Sequence, residues 1–172
     1  MQNDNIYNQL GYTSEFLTAN SEIANLHPDY ADLVKLEADK FYFSGNHPAV
    51  LFVNIKSFSS NDELRRIAAI LHKAWNYRKV ILLFALSETE IRIYNCYAKP
   101  TYIKGDDDIN LKLNPAELLR YDTTSSDIDT FNILVEIFSR IGVDNGLLWT
   151  EQPEIRKKID LQNRIDAYLV KS

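Results

Sequence analysis

Seven consecutive apolar residues, Val-Ile-Leu-Leu-Phe-Ala-Leu at positions 80–86, constrain this chain more than any other feature. A run without alternation has no polar side to offer water, so as a strand it must be covered on both faces. It is too short to span a bilayer, which takes about 18 apolar residues. The fold must therefore place layers on both sides of a sheet, and these residues form its central strand.

The neighbouring sequence supplies the rest of such a sheet. Residues 38–43 (Ala-Asp-Lys-Phe-Tyr-Phe) and 49–55 (Ala-Val-Leu-Phe-Val-Asn-Ile) are aromatic and β-branched, and Ser44-Gly45-Asn46-His47-Pro48 between them has turn composition, which predicts an antiparallel hairpin. Ser60 and Glu63 are spaced as a capping box. Behind them Leu64, Ile67, Ala68, Leu71, Ala74 and Trp75 recur at helical spacing, predicting an amphipathic helix to about Tyr77. After Ser87-Glu88-Thr89, residues 90–97 read as a strand with Ile91 and Ile93 on one face and Arg92 and Tyr94 on the other, closing the sheet as a second hairpin.

The flanks read as helical. In residues 1–37, Pro28 suits the first turn of a helix carrying Tyr30, Leu33, Val34 and Leu36. Beyond the acidic loop Gly105-Asp106-Asp107-Asp108, residues Ile128, Phe131, Leu134, Val135 and Phe138 trace a helix stripe, with Ser126 as N-cap and Gly142 as the residue after its end. From Pro153, the positions Ile155, Ile159, Leu161, Ile165, Tyr168 and Leu169 predict one or two further helices. The expected architecture is α/β (α+β): a small mixed sheet of about four or more strands with flanking helices and a helical C-terminal part. It divides into a helical segment 1–37, an α/β core 38–104 and a helical extension 105–172, all one globular unit. No stop signal follows Val170, so the chain reads as a fragment leading into a missing downstream domain.

Composition narrows the function classes. With 45% apolar residues the 172-residue chain can fill a core, and its polar start, Met1-Gln2-Asn3-Asp4-Asn5, is no signal peptide, so a cytoplasmic protein with no membrane partner is expected. The single cysteine, Cys96, excludes a disulfide framework and a multi-cysteine zinc site. A net charge of −5 argues against an autonomous, non-specific DNA binder. Against that charge, Arg65, Arg66, His72, Lys73, Arg78 and Lys79 gather within fifteen positions, a local basic patch suited to DNA phosphate or to an acidic partner domain.

The order of hairpin, helix, buried strand and final strand resembles the core of PD-(D/E)XK (restriction-endonuclease-like) nucleases. In that family an acid on one hairpin strand and an acid-x-Lys on the next hold a catalytic Mg²⁺, a hard cation that takes oxygen ligands. The resemblance places the first acid at Asp39 and the acid-x-Lys at Asn54-Ile55-Lys56, where Asn54 replaces a required carboxylate and makes the site degenerate.

A second resemblance spans residues 47–172. The stretch Ala74-Trp75-Asn76-Tyr77-Arg78-Lys79-Val80, followed by Leu83-Phe84-Ala85-Leu86-Ser87-Glu88-Thr89-Glu90-Ile91-Arg92-Ile93-Tyr94-Asn95, is similar to the N-terminal region of bacterial restriction-modification proteins (type IIG or type I-like) with an adenine-N6 DNA methyltransferase domain. Leu148-Trp149 and Arg164-Ile165-Asp166-Ala167-Tyr168-Leu169-Val170 resemble the segment leading into that family's helical region. The methyltransferase tetrapeptide (Asn/Asp-Pro-Pro-Tyr/Phe), a Gly-rich S-adenosylmethionine loop and a Walker A sequence are all missing from this chain. No cofactor is expected here, with S-adenosylmethionine belonging to the missing methyltransferase domain. The resemblance implies a non-catalytic N-terminal module that aids DNA engagement or domain docking, its partners being DNA through the full-length protein and that protein's downstream domains.

Two alternatives stay open. One is an active Mg²⁺-dependent nuclease using Asp39, Lys56 and another acid such as Glu15 or Glu37. The other is a stand-alone interaction module unrelated to DNA. The remaining candidates have ordinary readings. Histidines 27, 47 and 72 have no partner at ligand spacing, Asp106, Asp107 and Asp108 suit a solvated turn, and Cys96 and Trp75 suit the core. Tyr42, Phe43, Tyr94 and Tyr97 suit cross-strand packing or an aromatic binding surface.

Overall fold

A computed structural model describes residues 2–77, 80–96, 98, 113, 116–147, 163 and 165–167. Helix α1 (Gln2–Gln9) leads through a short 3-10 turn into strand β1 (Leu17–Ala19), the one-turn helix α2 (Ile23–Leu26) and a kinked 3-10 helix at Pro28–Leu36. Strands β2 (Lys40–Ser44) and β3 (His47–Asn54) follow, then helix α3 (Asn61–Tyr77), strands β4 (Leu82–Leu86), β5 (Glu90–Asn95) and β6 (Glu117–Asp122), and helices α4 (Ile128–Phe138) and α5 (Arg140–Leu147).

The strands form one mixed six-stranded sheet in the order β1-β2-β3-β4-β5-β6. All neighbours are antiparallel except β3 and β4, which run parallel because α3 carries the chain back across one face between them. Alternation along each strand divides the interior into two cores. On one face Leu51, Val53, Leu83 and Ala85 meet Leu64, Ile67, Leu71 and Ala74 of α3 and Leu33 and Leu36 of the 3-10 helix. On the other, Val50, Phe52, Phe84, Ile91 and Ile93 meet Tyr7 of α1, Leu10 and Tyr12 just after it, Leu134 and Phe138 of α4 and Val143 of α5. The apolar run 80–86 is buried at every position, which agrees with a central strand covered on both faces. The chain is thus a mixed α/β fold with helices on both faces of its sheet.

Several local expectations are corrected. Ser44, His47 and Pro48 belong to the β2–β3 ladder, not the turn; Gly45, at φ 62°, lets the chain reverse within Gly45 and Asn46. Ser60 Oγ does accept from the Glu63 N–H at 3.4 Å, and α3 ends at Tyr77 as its spacing predicts. The β4–β5 hairpin does not close the sheet, because β6 pairs beyond β5; at the opposite edge β1 extends it beyond β2. Arg92 and Tyr94, placed by alternation opposite Ile91 and Ile93, do not face water, since the second face is covered too. In α4 the N-cap is Asp127, whose carboxylate accepts from the Thr130 N–H at 3.1 Å, and not Ser126. The buried positions there are Ile133, Leu134, Ile137 and Phe138, while Ile128 and Val135 of the expected stripe are exposed.

Gly142 lies inside α5, not after the end of α4. A Cβ built there would stand 2.5 Å from the Glu136 carbonyl oxygen and 2.8 Å from that of Ile137. Backbone cannot yield as a flexible side chain does, so α5 sits against the last turn of α4 only because residue 142 has no side chain. Gly142→Ala should therefore destabilise by about 1–3 kcal/mol through overpacking, against the gain of up to ~1 kcal/mol that helix propensity alone offers. Urea unfolding measures the difference, and a stabilised variant would mean that the two helices do not meet this closely.

Candidate functional site

The antiparallel register of β2 and β3 sets Asp39, just before β2, beside Asn54 at the far end of β3. The Asp39 N–H donates to the Phe52 carbonyl at 2.9 Å, which holds its side chain at the sheet end. One carboxylate oxygen, Oδ2, accepts the Asn54 N–H at 2.7 Å. The other, Oδ1, accepts Nη2 of Arg66 at 3.2 Å, and the same guanidinium donates through Nη1 to the Asn54 carbonyl at 3.0 Å. Arg66 reaches down from α3 and closes a ring of charge-assisted bonds around the expected first acid.

That geometry tests the site for a divalent cation. Mg²⁺ requires several oxygen ligands and usually more than one carboxylate or phosphate. The position offers one carboxylate, both of whose oxygens already accept protein hydrogens, and the positive charge beside it is a guanidinium. Glu37 is drawn instead to Lys73 at 3.7 Å, and Glu15 accepts from Thr13 Oγ1 at 3.4 Å on an exposed turn. Among the described residues no three His, Cys, Asp or Glu side chains gather as a metal-binding group. The residues present do not fit the cation. Lys56 is exposed in the loop between β3 and α3, and among the described residues no hydrogen bond or ion pair joins it to Asp39 or Asn54.

Arg65, Arg66, His72 and Lys73 share the outer face of α3, at the i, i+1, i+7, i+8 spacing that superposes on a helix. Arg78 and Lys79 lie outside the described residues. Three of the four have an acid within reach: Asp62 at 3.5 Å from Arg65, Asp39 at 3.2 Å from Arg66 and Glu37 at 3.7 Å from Lys73. Three cations against three carboxylates leave the described part of this face close to neutral. Exposed pairs of this kind add little to stability, but they remove the concentrated positive potential that attracts phosphate.

The aromatic surface is not one. Tyr42, Phe43 and Tyr94 are buried, and Tyr97 lies outside the described residues, as do Asp106, Asp107, Asp108, Leu148 and Trp149. Phe43 stacks on His27 with ring centroids 3.6 Å apart, and partial burial lowers the His27 pKa. Burial pushes the Cys96 thiol far above its ordinary range, which makes it inert.

Two polar clusters have no signal in the sequence. Tyr42 Oη donates to both Asp144 carboxylate oxygens at 2.8 and 3.0 Å, and Ser44 Oγ donates to the same carboxylate at 2.8 Å, tying α5 to β2. Burial, and after it the Asp144 carboxylate, pushes the Tyr42 phenol up to about 12. At the other end of the sheet Arg92 is buried, with Nε donating to Glu90 and its guanidinium 4.2 Å over the Phe58 ring. Glu90 also lies 3.7 Å from Arg120, which donates to Glu117 at 2.9 Å, so two arginines placed opposite each other on β5 and β6 are balanced by two carboxylates.

Compared with known proteins, the chain matches no family model, no curated protein and no solved structure. Among its described residues no helix is long and apolar enough to cross a membrane.

Proposed function

We propose that this chain is a non-catalytic, nuclease-like module of a DNA restriction-modification protein, and that it serves by docking against other domains of that protein. The observation that carries the reading is the Asp39–Asn54–Arg66 closure. Asp39 and Asn54 adjoin as two halves of a PD-(D/E)XK site do, yet an arginine stands where a nuclease holds its cation. The helix that follows the hairpin and the parallel return strand support the same reading, as does the sequence resemblance to the region that precedes an adenine-N6 methyltransferase. S-adenosylmethionine would belong to that methyltransferase.

Docking is favoured over direct DNA engagement by the charge cancellation on the outer face of α3. A face of alternating charges suits a polar protein surface, whereas DNA affinity rises with the number of phosphates neutralised. The expected result is that supercoiled plasmid stays intact with Mg²⁺ or Mn²⁺, and that duplex DNA is not retained in a gel at low salt. Cleavage abolished by Asp39→Ala would establish the nuclease alternative. Retention abolished by Arg65→Glu with Lys73→Glu would move the function to DNA engagement.

A further inference from the structure

The loops that leave the carboxyl ends of β3 and β4 border an open cleft of about 370 Å³. These are the parallel pair of the sheet, and their exits diverge, one climbing into α3 and the other reversing into β5. A crevice outside the carboxyl ends of such strands is where open α/β sheets commonly receive ligands. Lys56, Ser57, Phe58 and Ser59 line it from one loop, with Ser87 and Arg92 from the other side.

The lining chemistry selects an anion. Lys56 is exposed and makes no ion pair among the described residues. Arg92 has a side chain only 7% exposed, with its guanidinium 4.2 Å from the Phe58 ring centroid, so its charge is held in place in a region of low dielectric. The lining carboxylate, Glu90, pairs with Arg92 and lies 3.7 Å from Arg120, whose nearer partner is Glu117 at 2.9 Å; these two arginines and two carboxylates balance, so the net positive charge at the cleft is that of Lys56. Both loops are ordered by their own hydroxyls. Ser57 Oγ lies 2.7 Å from Ser59 Oγ and accepts the Ser59 N–H at 3.1 Å, while Ser87 Oγ accepts the N–H groups of Thr89 and Glu90 at 3.3 and 3.1 Å. An exposed ammonium and two neighbouring hydroxyls around a small cleft, with a guanidinium fixed at its wall, suit an oxyanion with several acceptors, such as a phosphoryl group.

We propose that this cleft binds a phosphoryl group through Lys56, Arg92 and the Ser57 and Ser59 hydroxyls, with room beside it for an attached sugar. The site is independent of the docking face on α3 and needs no metal. Its source is either a free phosphomonoester or the phosphodiester backbone of single-stranded nucleic acid.

The test titrates the whole chain with inorganic phosphate, a nucleoside 5′-monophosphate and an unphosphorylated oligothymidylate, following backbone amide resonances. Phosphate should shift residues 57–60 and 87–90, and Lys56→Ala should weaken binding about tenfold, a loss of one charge-assisted contact. Lys56→Glu should abolish it while leaving the spectrum otherwise folded, since residue 56 is exposed. Saturation by the monophosphate alone assigns a phosphomonoester, and saturation by the oligonucleotide assigns the backbone. No shift at these loops with any of the three, or equal affinity in Lys56→Ala, overturns the proposal.

Discussion

Replacing Phe84 by alanine should cost about 3–5 kcal/mol, a large share of the stability of this fold. Phe84 is 1% exposed at the middle of β4. Its ring meets Tyr12 at 5.7 Å, Phe52 at 5.2 Å and Phe138 at 6.4 Å between centroids, all edge-on. Truncation removes the buried area, the cavity walls and three favourable ring contacts together. Its neighbour Leu83 points the opposite way, into the core beneath α3, and Leu83→Ala should cost about 2–5 kcal/mol. Both losses are expected only of a strand covered on both sides. Because a domain's whole stability is about 5–15 kcal/mol, each should bring the urea midpoint down sharply. A change below about 0.5 kcal/mol at either position, well under the range for core truncation, would show that its face of the sheet is open.

The second large effect is expected at Asp144. Its carboxylate is the acceptor for Tyr42 and Ser44, which are 4% and 5% exposed. Asp144→Ala strands two buried hydroxyls and should cost about 2–3 kcal/mol, the share that water at the half-open carboxylate cannot replace. The same cluster gives an alkaline signature. The folded state raises the Tyr42 pKa from 10.0 to about 12, so it prefers the protonated phenol. That preference adds stability in full below pH 10 and is lost as pH rises through 12. Burial does the same to Tyr94, also pushed up to about 12. Stability should fall between pH 10 and 12, and Tyr42→Phe should make that fall shallower while Tyr94, with Tyr12, Tyr77 and Tyr121, which burial also raises, maintains the remainder. An unchanged slope in Tyr42→Phe would mean the phenol is not buried against Asp144.

The candidate site was legible only as far as local spacing reaches. Asp39 directly precedes β2 and Asn54 ends β3, two strands joined by a tight turn, so antiparallel pairing alone brings them together. What happens to them there depends on Arg66, which reads from the sequence as one more cation on a solvated helix face. Its diversion into the Asp39 ring, and those of Lys73 to Glu37 and Arg65 to Asp62, turn an apparent basic patch into a nearly neutral one.

Hydrophobic pattern by itself determined the central strand, seen as Leu82–Leu86 within the apolar run 80–86, the amphipathic helix after Ser60 and the hairpin before it, because each buries enough surface to mark the sequence, the strand by an unbroken run and the others by a repeat. The edges were another matter. β1 is three residues long, and β6 reads Glu-Leu-Leu-Arg-Tyr-Asp without clean alternation; both are strands because a neighbour's unpaired backbone offers them a ladder. In α4 the residues admit more than one stripe, and packing on the sheet selected Ile133, Leu134, Ile137 and Phe138 over Ile128 and Val135. The Tyr42–Asp144 tie spans 102 positions, and burial of Arg92 requires Phe58 and Glu90 to meet across the end of the sheet. Periodicity records which face of an element is apolar; which charge finds which partner is settled only when the layers close and exclude water.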